Sequence, residues 1–193
     1  MSLGSITVVD APETEPVTVA EQRAHCRIDH TDDNAYLAAL ITAARKHIED
    51  RTGKLLATQT VQQIHDEFPC GATPIKLQRM PVSSVEVTYI DEDGEEQTMD
   101  EDLIQTSLNA TIPLIAPAPD EEWPDTECER LGAVTIEITG GYATCPADLK
   151  QAIMMLAAHW YANRESIVTG TSVSEIPMTV EAIIGINTSP LIF

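Results

Sequence analysis

PADLKQAIMMLAAHWYANRESIV, residues 146–168, carries the strongest helix signal in the chain. Leu149, Ile153, Leu156 and Trp160 recur at helical spacing. Ala152, Met155, His159 and Ala162 lie beside that stripe, and Met154, Ala158 and Tyr161 widen it. Pro146 suits a first turn, where a missing N–H costs nothing, and Asp148 faces the positive end of the helix dipole. A helix apolar around so much of its circumference needs partners on more than one side. The segment therefore reads as the central helix of a small domain, with one flank left for another subunit. Met155, His159 and Tyr161 are the candidate interface residues on it.

A second helix is expected over about residues 33–52, with Leu37, Leu40, Ile41, Ala44 and Ile48 on one face and Arg45, Lys46, Glu49 and Asp50 on the other. Gly53 follows as a C-terminal cap, because glycine enters the left-handed region freely. Its apolar stripe suits the 146–168 helix as a partner. Upstream, Thr18 and Glu21 stand at capping-box spacing before a short helix over 19–27. Pro12 and Pro16 mark residues 1–16 as an arm. Downstream, Ile176-Pro177 opens a short helical pattern with Val180, Ile183 and Ile184, and Gly185 ends it.

Between the helices the period changes to two. Val85, Val87 and Tyr89 alternate up to a turn at Asp91-Glu92-Asp93-Gly94, and Val134, Ile136 and Ile138 alternate up to Gly140-Gly141. Residues 58–65, with Val61 and Ile64, form a further strand, and Ile75 and Leu77 add two alternating positions. The fold class that follows is α+β: a small helical bundle with an inserted antiparallel β region and a long acidic loop. Its parts are an arm (1–16), a helical part (17–57), a strand-rich insertion (58–145), a central and a short C-terminal helix (146–184), and a tail (185–193).

The acidic loop is residues 91–129, which hold fourteen acids, Asp91, Asp93, Glu95, Asp100, Asp102, Glu121 and Glu122 among them, and no lysine or arginine. Such a segment has little means to form a core of its own, so it reads as a solvated loop or one that orders on a neighbouring subunit. Trp123 is the aromatic anchor within it.

The whole chain of 193 residues has 31 acids against 11 bases, a formal net charge of −20. That balance argues against nonspecific nucleic-acid binding through a broad positive face. No run of eighteen apolar residues suggests a membrane span, and no secretory signal is visible at the start. The four cysteines, Cys26, Cys70, Cys128 and Cys145, form no CxxC pair and fit a reducing setting.

Motifs for chemistry are absent. The five histidines make no HExxH and have no cysteine at zinc spacing. Asp91, Asp93 and Glu95 resemble the start of a calcium loop, but Gly94 stands fourth where the sixth position needs glycine, and Asp102 stands where the twelfth needs glutamate. Nothing points to a catalytic residue, a metal or a cofactor, and the chain reads as a non-enzyme.

Several of these stretches together resemble a known family. They are Pro16-Val17-Thr18, Ala43-Ala44-Arg45 with 48–53, Pro81–Val85, Tyr89–Asp91, Gly140–Tyr142, 146–153 and His159–Glu165. In order and spacing they look like the head–tail connector, or adaptor, proteins of tailed phages and prophages, over about residues 16–184. The resemblance implies a structural subunit that forms a ring, commonly of twelve copies, under the portal protein at one capsid vertex. Such a ring extends the DNA channel and receives the next connector or the tail. DNA passes without sequence-specific binding, and no membrane is involved. The implied location is the head–tail junction of the virion, with the host cytoplasm during assembly. On that reading Arg45 and Arg164 are candidate partners for a neighbour's acids, and Pro190, Leu191, Ile192 and Phe193 are a candidate portal-docking tail. The alternative is an acidic monomeric or dimeric protein-binding module.

Overall fold

The computed structural model describes residues 4–164 and 176–189. The chain divides into two compact units, a helical one of Thr14–Ala57 with Tyr142–Phe193 and a β one of Met1–Glu13 with Thr58–Gly141.

The helical unit contains α1 (Val19–Cys26), α2 (Asn34–Thr52), α3 (Ala147–Ala162) and α4 (Met178–Asn187). Thr18 and Glu21 form the capping box at the start of α1. That helix ends at Arg27, which takes the left-handed conformation with φ 56°. Gly53 does the same at the end of α2, with φ 71°, and its N–H donates to the Glu49 carbonyl. Asp33 sits at the start of α2, yet its carboxylate makes no cap hydrogen bond.

The apolar faces of α2 and α3 meet in one core. Ile41, Ala44 and Ile48 pack with Leu149, Ala152, Ile153, Leu156 and Ala157, and Val17, Leu56, Val180 and Ile184 close the cluster. The helix expected over 146–168 is thus α3, ending at Ala162, and its stripe finds its partner on α2 as expected. Residues 165–168 of that stretch lie outside the described residues. Met154, Met155, Ala158, His159, Trp160 and Tyr161 remain half-buried. The single chain therefore covers one side of α3 completely and the other only in part.

The β unit holds two sheets. The larger has the order β1-β2-β8-β4-β5, built from β1 (Ser5–Asp10), β2 (Gln59–His65), β4 (Val82–Ile90), β5 (Glu96–Thr98) and β8 (Val134–Gly140). The smaller has the order β3-β7-β6, from β3 (Ile75–Lys76), β6 (Ile104–Ser107) and β7 (Leu114–Pro117). Neighbouring strands in both sheets run antiparallel. β8 lies at the centre of the larger sheet, and Val134, Ile136 and Ile138 on its inner face are fully buried.

Three segments change or refine their sequence expectation here, the strand expected over 58–65 being present as β2. Residues 5–10 of the expected arm form β1, an edge strand whose register puts Val8 opposite Val61. In β2, Val61 and Ile64 do not share a face, since alternation sends them to opposite sides. The buried side of β2 is instead Gln59, Val61, Gln63 and His65. Gln63 is satisfied there: its Oε1 accepts from the Gln78 N–H, and its Nε2 donates to the Lys76 carbonyl.

The third change is in residues 91–129, which build β5, β6, β7 and a 3-10 turn at Glu101–Leu103. An apolar run within it, residues 112–116, supplies most of β7, where Ile115 and Ala116 are buried. Twelve of the fourteen acids stay exposed, so the segment keeps an acidic surface over a folded framework.

Candidate functional surfaces

Arg45 lies inside the helical unit. Its Nη1 is 2.6 Å from Glu49, one turn along α2, and its Nε is 2.8 Å from Glu15. The side chain is 7% exposed. Burial opposes the guanidinium charge, but the two carboxylates outweigh it and hold the pKa above its ordinary value. Glu49 also accepts the Leu56 N–H at 2.7 Å. Within the described chain Arg45 is paired by its own Glu15 and Glu49, and this ion pair pins residue 15 and the turn after α2 to one helix.

Arg164 belongs to a second cluster in the same unit. Its guanidinium carbon is 4.7 Å from the ring centres of both Tyr36 and Tyr161. Its Nη2 donates to Asp33 at 2.9 Å, and the Tyr161 hydroxyl donates to the same carboxylate. The Tyr161 hydroxyl, then Arg164, hold Asp33 below the usual carboxylate range, and Asp33 in turn raises the Tyr161 pKa. This cluster explains why Asp33 does not cap α2. Tyr161 and Arg164 are thus engaged within the chain, while their outer surfaces stay partly open. Met155 and His159 lie on the half-buried side of α3, and Asn163 donates to the His159 carbonyl at 2.8 Å.

In the β unit, Trp123 is 7% exposed. Its ring stacks on Phe68 at 4.8 Å with an interplanar angle of 6°, and its Nε1 donates to the Thr73 carbonyl at 2.9 Å. Within its own unit Trp123 thus pins the 121–126 segment against 68–73. The pair lines a cleft of about 770 Å³ together with Asp66, Glu67, Glu122 and Asp125. Periodicity does not mark Phe68, a lone aromatic between Glu67 and Pro69; Phe68-Pro69 stands out only as one of the stretches that resemble the connector family.

The acids divide by task. Asp91 accepts from the N–H groups of Asp93 and Glu95 and from Gln97 Nε2. The Glu95 N–H and Gln97 together lower its pKa. It is a turn-building residue for the β4–β5 hairpin, in which Gly94 takes φ 82°. Asp100 caps the 3-10 turn by accepting from the Asp102 N–H. Asp93, Glu95, Asp102, Glu121 and Glu122 are exposed. Among the described residues no group of three His, Cys, Asp or Glu is placed to hold a metal ion, and no helix is long and apolar enough to cross a membrane. Pro190, Leu191, Ile192 and Phe193 lie outside the described residues.

Charge is unevenly shared. The β unit holds twenty acids and three bases, a formal −17, and the helical unit holds eleven acids and eight bases, a formal −3. The total shows only a strongly acidic chain, whereas the division shows a nearly neutral helical bundle carrying an acidic β module.

Comparison with known proteins follows the same outline. The chain is similar to one in the neck of an empty gene transfer agent particle computed with C6 symmetry, at 26% identity and TM-score 0.77 over 96% of this chain and 95% of that one. It is also similar to a chain in the virion of a native gene transfer agent particle, at 25% identity and TM-score 0.78 over 95% of each. A chain from the neck of the native particle computed with C12 symmetry shares the fold at 24% identity and TM-score 0.74, over 96% of this chain and 95% of that one. No curated protein matches. The head completion protein family matches residues 15–186, from the lead-in to α1 through almost all of α4, and the chain belongs to that family.

Proposed function

We propose that this chain is a structural connector subunit at the head–tail junction of a phage-like particle. Several copies form a ring there, between the portal and the next connector or tail component. The observation that carries the reading is the match to the head completion family across 15–186, joined to structural likeness over nearly the full length of a gene transfer agent neck chain. That relative sits in a particle computed with sixfold symmetry. An off-axis chain in such a particle recurs in multiples of six, which supports a ring of six or twelve copies here.

The charge division fits the same role. A β module at −17 repels the phosphate backbone of DNA at close range, so passing DNA does not stick to it. The near-neutral helical unit is the part of the chain best able to approach another copy.

The test is genetic and structural together. Particles assembled without this chain should accumulate as DNA-filled heads lacking tails, and supplying the chain in trans should restore joining. Normal tailed particles in its absence would refute the reading.

A further inference from the structure

The outer face of α4 has no partner in the described chain. Its inner face, Val180 and Ile184, is buried in the core. On the opposite side Met178 is 89% and Ile186 86% exposed, with Ala182 and Gly185 exposed between them. Spacings of three and four residues put all four on one helix face.

One of these residues, Gly185, is costly in a lone subunit and has no evident use there. Glycine in a helix interior is less favourable than alanine by about 1 kcal/mol. A Cβ added at Gly185 meets nothing within 4 Å, so no contact in the described chain requires glycine there. A small residue at this place has a purpose if another backbone comes close, because helix separation depends on the side chains at the contact. Met178 and Ile186 would then flank the crossing.

The character of the face says what covers it. It carries no charge, and the one charged residue of α4, Glu181, is paired with Arg51 at 2.9 Å. In a chain of net charge −20, identical copies repel wherever acidic surfaces meet. Contact is least opposed where charge is sparse, and the helical unit is that place, at −3 against −17 for the β unit.

We propose that the Met178–Ala182–Gly185–Ile186 face of α4 is where a second copy of this chain seats a helix in the assembled ring. The inference rests on the ring reading above. The probe is the full chain carrying the photo-crosslinker p-benzoylphenylalanine at position 182, assembled on its cognate portal and irradiated. A copy-to-copy adduct is expected. An adduct to the portal alone, or within one chain, overturns the proposal.

Gly185→Leu and Ile186→Asp should each reduce ring yield by about tenfold or more. The monomer's melting temperature should fall by no more than about 2 °C, as for other exposed substitutions, and Gly185→Leu should raise it by about 2–4 °C because it removes a helical glycine. Rings that form normally with both variants overturn the α4 contact and leave the ring itself standing. A monomer destabilised by Ile186→Asp overturns it too, since the chain then covers the face itself. A wild-type chain that forms no ring on the portal refutes the underlying reading, and that result is scored before any variant.

Discussion

Replacing Arg45 separates a residue that holds its own subunit together from one that reaches a neighbour. Arg45 bridges Glu49, itself 7% exposed, and Glu15, 27% exposed. Arg45→Ala leaves the Glu49 carboxylate buried without its cation and opens space along α2. Removing one partner of a buried ion pair costs about 3–5 kcal/mol. For a chain of this size each kcal/mol shifts the melting temperature by about 2–4 °C, so the fall should be roughly 6–20 °C. Replacing both groups together, as Arg45→Met with Glu49→Gln, should recover much of the loss, because the one carboxylate left without Arg45 is Glu15, which at 27% exposed is reached by water. Thermal melts of the wild type, Arg45→Met, Glu49→Gln and the double variant, followed by circular dichroism, close the cycle. A melting temperature unchanged in Arg45→Ala, with ring formation abolished, would refute the internal role and return Arg45 to the interface.

Three further outcomes follow from the geometry. Trp123→Ala removes the stack on Phe68 and the hydrogen bond to Thr73, and should destabilise the β unit by about 3–5 kcal/mol, visible as raised protease susceptibility near residues 121–126. His65 is held neutral: the Gln63 amide, oriented by Gln78 and Lys76, donates to its Nε2 at 2.8 Å, and burial lowers its pKa below 6.5 despite Asp66. Its contribution is complete above pH 6.5 and is lost as pH falls from there through the lower folded value, so melts between about pH 7.5 and 5 should show a slope that His65→Gln removes. Ring assembly should strengthen as salt rises, because screening to a Debye length of about 8 Å near 0.15 M weakens repulsion between the acidic β units; sedimentation showing fewer rings at higher salt would contradict this.

The helical core was readable because α2 and α3 repeat apolar residues at the helical period, and the capping box and Gly53 mark ends by local chemistry alone. β8 was readable because each buried residue alternates with a polar one. β2 was harder, since its buried side is mostly polar and is made tolerable by hydrogen bonds to 76–78, which no local pattern announces. The acidic stretch hid β6 and β7 for a related reason: charge at exposed positions masks a framework with few buried residues, Pro113, Ile115, Ala116, Pro117 and Trp123. At the candidate surfaces, sequence singled out Arg45 and Trp123 as unusual, which they are, but an arginine or tryptophan signals an anchor without saying which chain it anchors. The outer face of α4 was passed over because Gly185 reads as a helix stop, whereas α4 runs through it to Asn187.

The connector reading is tested most directly by cryo-electron microscopy of the chain mixed with its cognate portal. The account predicts one added annulus against the portal, with copies in a multiple of six and the helical units in contact. Portal particles without that annulus, or single copies bound without touching one another, would contradict it.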